Sequence, residues 1–97
     1  MKIKEIQRIL LDVPFDDVSE RNMERDTHGW HIVEICRVIA DNGMTGLGET
    51  LPHYTLGKVT EESINHATGK NLYELIWEDT LGCGLQMAIL DLCAKAA

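Results

Sequence analysis

The sequence predicts an α+β fold: a three-stranded antiparallel β-meander followed by a bundle of about three α-helices. Three observations predict it. Residues 30–50 read as a β-branched strand, a turn at Asp41-Asn42-Gly43 and a shorter second strand. An isoleucine-rich stretch precedes them and stops at Pro14. Beyond residue 60, helix caps and apolar residues at helical spacing take over.

Residues 2–13 form the first element. Its apolar positions are Ile3, Ile6, Ile9, Leu10, Leu11 and Val13, a spacing that suits a helix about as well as a strand. The isoleucines, the stop at Pro14 and a neighbouring hairpin to pair with decide for a strand. Residues 14–29 are a long polar connection. So long a structureless stretch is uncommon in a small domain and is often a lid or binding loop; a solvated connection is the competing reading. Arg21 and Arg25 stand out in it. They suit the grip of an anionic ligand, or pairing with the acidic residues around them.

In residues 32–40, Val33, Ile35 and Ile39 lie on one face and Ile32, Cys36, Val38 and Ala40 on the other. A strand apolar on both faces is central and covered on both sides. Asn42 and Gly43 tolerate the positive φ of a tight reversal. Gly46 and Gly48 alternate along residues 44–49, leaving one face nearly bare, so a backbone or a ligand can approach closely.

The helices follow. Thr60 reads as an N-cap, with Glu61 and Glu62 at the positive end of the first turn. Gly69 suits a left-handed position after the helix end. Asn71 caps a second helix through Leu72, Leu75, Ile76 and Trp77, which Gly82-Cys83-Gly84 breaks. The third helix, residues 85–97, gathers Leu85, Ala88, Ile89, Leu92, Cys93 and Ala96 on one face. Met87, Leu90, Ala94 and Ala97 lie off that face, and Asp91 and Lys95 form an i,i+4 pair. A helix so apolar all round is expected to be buried on most sides.

The 97 residues suffice for one domain, and the apolar and charged fractions, 44% and 26%, are ordinary for a globular protein. A net charge of −7, with nine basic residues scattered singly, argues against nucleic acid and against an anionic membrane surface. Cys36, Cys83 and Cys93 contain no Cys-x-x-Cys pair and read as small buried apolar residues in a reducing compartment. Nothing approaches the roughly 18 apolar residues of a membrane span, and Lys2, Lys4 and Glu5 interrupt any leader-like apolar run. A cytoplasmic location is the expectation.

Few chemical motifs survive inspection. His28 and His31 lack a third ligand at metal-binding spacing. Ser19 and Ser63 lack a nucleophile-elbow context. Gly46-Leu47-Gly48 is half a dinucleotide fingerprint, without its third glycine or helix. Glu49 and His53, as acid and base, would make a small independent enzyme, the weakest of the readings.

Taken in order, these residues resemble the N-terminal capping domain of the enolase superfamily, in the mandelate racemase and muconate lactonizing enzyme branch. The resemblance covers essentially the whole chain. It runs from Ile3-Lys4-Glu5-Ile6 to Val13-Pro14, then through the strand 32–38. Asp41-Asn42-Gly43-Met44-Thr45-Gly46-Leu47-Gly48-Glu49 is similar to the family's DDG-x-x-G-x-GE hairpin. Gly69-Lys70-Asn71-Leu72 is similar to its glycine-lysine-aspartate-proline segment, and Ala88-Ile89-Leu90-Asp91-Leu92 with Lys95 to its A-L-W-D-L-x-x-K helix. Leu72 replaces the usual proline and Leu90 the usual tryptophan.

The resemblance implies a division of labour. A (β/α) barrel would hold magnesium on three acidic ligands and supply the acid and base that abstract a proton alpha to a carboxylate. Residues 1–97 would be a single capping domain that closes the barrel mouth, with the barrel absent from the chain. On this reading the chain carries no catalytic residue and no metal ligand, and magnesium belongs to the full-length enzyme. Phe15, Arg25 and His28 from the first loop, with Glu49, Thr50, His53 and Tyr54 from the second, would line the pocket of a small, acid-sugar-like carboxylate. The enzyme would be a dehydratase or racemase, and a homo-oligomer. The alternative is a self-associating α+β binding module with no catalytic role.

Overall fold

The computed structural model describes residues 1–13, 32–52 and 57–97. Strands β1 (Ile3–Asp12), β2 (Ile32–Ala40) and β3 (Thr45–Thr50) form an antiparallel sheet in the order β1-β2-β3. Two α-helices follow, α1 (Glu61–Ala67) and α2 (Cys83–Ala96), with 3₁₀ turns at Leu72–Glu74 and Asp79–Leu81 between them. The described residues therefore form the expected α+β meander, followed among them by two α-helices rather than about three.

The helical spacing in β1 has a strand explanation. Ile3 pairs with Ala40 and Glu5 with Ile39, so the register shifts by one residue at Lys4. That bulge brings Ile3 and Ile6, three residues apart, to the same face. The β2–β3 turn uses one positive-φ residue, Gly43 at +88°. Its N–H donates to the Ala40 carbonyl at 3.0 Å, and Asn42 Oδ1 accepts from the Met44 N–H at 3.1 Å.

Among the described residues, α1 and α2 lie on one face of the sheet. Glu34, Cys36, Val38 and Ala40 point toward them and are buried, with Gly46, Gly48 and Thr50 beside them on β3. A Cβ on Gly46 would meet the Ala88 carbonyl oxygen at 2.1 Å, and one on Gly48 the Gly84 carbonyl oxygen at 1.9 Å. The bare face of β3 thus admits the backbone of α2. Val33, Ile35 and Ile39 face the other way, and among the described residues no helix covers them. The core joins Ile3, Cys36, Val38, Leu72, Leu75, Leu81, Leu85, Ile89 and Leu92.

Asn71 does cap the next segment, accepting from the Tyr73 N–H at 3.0 Å, but the segment stays a 3₁₀ turn. Its bonds run three residues back, Glu74 to Asn71 and Leu75 to Leu72. The Leu72 N–H is meanwhile drawn to the Met1 carbonyl at 2.9 Å. Leu72 and Leu75 fill the core while Trp77 is 88% exposed, so no amphipathic surface rewards a further helical turn.

Candidate functional site

Antiparallel pairing brings both candidate binding loops to one end of the sheet. Leu10 of β1 pairs with Glu34 of β2, which pairs with Thr50 of β3. The chain leaves β1 toward residues 14–31 and leaves β3 toward residues 51–60 at that same end. The two exits stand two strand spacings apart, roughly 10 Å.

One ionic network braces this end. Glu34 is 4% exposed, and its carboxylate accepts from Arg8 at 3.1 Å. Arg8 also donates to Glu61 of α1 at 3.2 Å. The hydrogen bond to Glu34 raises the guanidinium pKa, against desolvation and with help from both carboxylate charges. The network ties β1, β2 and α1 together. Neither Arg8 nor Glu34 is among the expected site residues; Glu34, the one charge in an otherwise apolar face of residues 32–40, is the sequence signal for it.

Of the expected pocket residues, Glu49 and Thr50 are described, and they part. Glu49 is exposed on the face opposite α1 and α2. Thr50 is 3% exposed, and its hydroxyl accepts from the Gly84 N–H of α2 at 2.7 Å. Thr50 is thus a packing residue that satisfies an orphan amide of the helix start. It shares a face with Gly48 and Gly46, two and four residues back, and that alternation is legible in the sequence. Phe15, Arg25, His28, His53 and Tyr54 lie outside the described residues, as do Arg21 and His31.

Two depressions adjoin these elements. Ile35, Leu47, Gly48, Glu49 and Met87 line one of about 230 Å³ at the outer side of β3. Thr60, Glu62, Ser63, His66, Thr80 and Leu81 line another of about 320 Å³ beside α1. The hydroxyls of the second serve the helix: Thr60 Oγ1 accepts from the Ser63 N–H, and Ser63 Oγ from the Thr60 N–H, each at 3.1 Å. His66 Nε2 lies 2.9 Å from Glu78 Oε2, and Lys70 Nζ lies 2.9 Å from His66 Nδ1.

The cysteines differ from one another. Cys36 is fully buried, and burial first, then the charge of Glu34, pushes its thiol up to about 11. It stays protonated and unreactive at neutral pH. Cys93 is partly buried, with its thiol raised by burial. Cys83 is exposed, against the expectation of burial; it opens α2 beside Gly57, whose carbonyl accepts from its N–H at 2.7 Å.

Among the described residues, no group of three or more His, Cys, Asp or Glu side chains could hold a metal ion. No described helix is long and apolar enough to cross a membrane. Comparison with protein families, with curated proteins and with solved structures returned no match.

Proposed function

We propose that this chain is the substrate-capping and specificity domain of a magnesium-dependent enzyme of the enolase superfamily, from the mandelate racemase and muconate lactonizing enzyme branch. The observation that carries this reading is the convergence of the two loop exits at one end of the sheet, where a lid would meet its substrate. The hairpin that carries the resemblance adds support. Gly43 holds a positive φ, and Gly46 and Gly48 seat α2 against the strand.

On this reading the reaction is proton abstraction alpha to the carboxylate of an acid sugar, in a dehydratase or racemase. The acid, the base and the magnesium ligands belong to a (β/α) barrel outside these residues. The described residues do not fit a magnesium site, so no chemical step is assigned to them. The domain's share is to exclude water and to touch the distal part of the substrate. Glu49 is the described residue offered to that substrate, and a cytoplasmic location fits the reading.

The test is hydrogen–deuterium exchange at the carbon beside the carboxylate, across a panel of sugar acids with magnesium. This chain alone gives no exchange above buffer; joined to its barrel it supports exchange, and Glu49→Gln shifts KM more than kcat. Exchange by the isolated chain overturns the assignment.

A second reading, a self-associating binding module, draws on the exposed apolar residues of the sheet. Leu10 is 65% exposed, Leu11 45% and Leu47 50%. A stable dimer with one cooperative melting transition in sedimentation and calorimetry favours the module.

A further inference from the structure

Among the described strands β3 is paired on one side, by β2, and its other side is a sheet edge of the kind that recruits further strands. Two of its backbone groups are taken by side chains of α2. The Leu47 N–H donates to Asp91 Oδ2 at 2.9 Å, and Lys95 Nζ donates to the Thr45 carbonyl at 3.2 Å. Asp91 and Lys95 are themselves 2.9 Å apart. An acceptor therefore stands opposite the outward N–H, and a donor opposite the outward C=O two residues earlier. A neighbouring strand would offer partners in that same order. Lys95 first, then the Leu47 amide, holds the Asp91 carboxyl below its ordinary range, so the acceptor-only form meets the strand. The next residue of this helical row is Met87, which has no N–H or O–H donor to offer and lines the depression beside Leu47 and Glu49.

We propose that Asp91 and Lys95 stand in for a fourth strand and keep the β3 edge from pairing with the β3 edge of a second copy of this chain. A second copy is the fitting occupant for a geometric reason. Antiparallel strands related by a two-fold axis exchange the same N–H and C=O groups, so this edge is its own complement. Leu47 on one side of the edge and Met87 on the other, 50% and 49% exposed, would be covered in that pairing. An exposed i,i+4 ion pair contributes little stability by itself. Its worth here lies in the polarity it presents to the strand.

The doubly substituted chain Asp91→Lys, Lys95→Asp tests this, because it keeps an ion pair on the helix and reverses that polarity. In dilute solution the Leu47 amide of the variant exchanges roughly 10- to 100-fold faster than in the parent, as expected for losing a hydrogen bond to a charged group. At higher concentration its sedimentation coefficient rises above that of the parent at equal concentration. Leu47 exchange within twofold of the parent, or sedimentation that tracks the parent, overturns the proposal. Should circular dichroism show the swapped chain unfolded, Lys95→Met carries the same test. It leaves Asp91 on Leu47 and frees only the Thr45 carbonyl, so increased self-association supports the proposal and unchanged sedimentation overturns it.

Discussion

At the scale of single residues, the seam between β3 and α2 is decided by missing side chains. A Cβ on Gly48 would lie 1.9 Å from the Gly84 carbonyl oxygen, a backbone atom that cannot swing aside. Gly48→Ala is therefore expected to destabilise the fold by about 3 kcal/mol, at the upper end for overpacking. For a domain this small that lowers Tm by roughly 12–24 °C. Thr45→Ala, on the outer face of the same strand, should stay within about 0.5 kcal/mol of the parent. Urea unfolding of the two variants checks the contrast.

Cys36 gives a residue-scale pH prediction. Its thiol moves from 9.0 to about 11 on folding. Between those values the native state holds a proton that the unfolded chain has lost, so stability falls as pH rises across that window and is unaffected below it. The fall is of order 2 kcal/mol. The difference in unfolding free energy between the parent and Cys36→Ala, followed from pH 8 to 11, isolates it from the titration of lysines and tyrosines.

At the scale of elements, α1 is short enough to depend on its ends. Its seven residues span about two turns, below the length at which a helix is stable alone. The reciprocal Thr60–Ser63 capping box satisfies its first amides. Thr60→Ala is expected to cost about 1 kcal/mol. Amide exchange in α1 should quicken more than in α2, whose first amides are held by Gly57 and Thr50 rather than by a side chain at its own cap. β1 is the opposite case, a long strand secured by pairing. Its start is further clamped where Ile3 exchanges backbone hydrogen bonds with Lys70 and Gly69.

At the scale of the whole molecule, the two described helices shield one side of the sheet. The other carries Ile9, Leu11, Val33, Ile35 and Leu47 in adjacent register, an apolar patch of the kind that marks an interaction surface. If copies meet through this face, Leu11→Lys weakens self-association at least tenfold, and sedimentation equilibrium at several concentrations measures it. Lys at position 11 points away from the core, so the melting of the monomer should change little.

The sequence by itself determined the elements whose cause is local. Asp41-Asn42-Gly43 announces a reversal because few residues accept its backbone angles; Thr60 announces a helix start because its hydroxyl serves the orphan amides. Gly46 and Gly48 announce a close approach, since a strand face without side chains has few other uses. Only the tertiary structure decided matters that depend on partners distant in the chain. It placed a backbone, that of α2, against the two glycines. It turned Thr50 inward onto Gly84, 34 residues away, and left Glu49 outward. It set a bulge at Lys4 that periodicity read as helical spacing, and it held the segment after Asn71 to a 3₁₀ turn, because Leu72 and Leu75 enter the core while Trp77 is left in solvent. Local chemistry fixes what a residue can do, whereas the direction it faces is chosen by burial and pairing across the sheet.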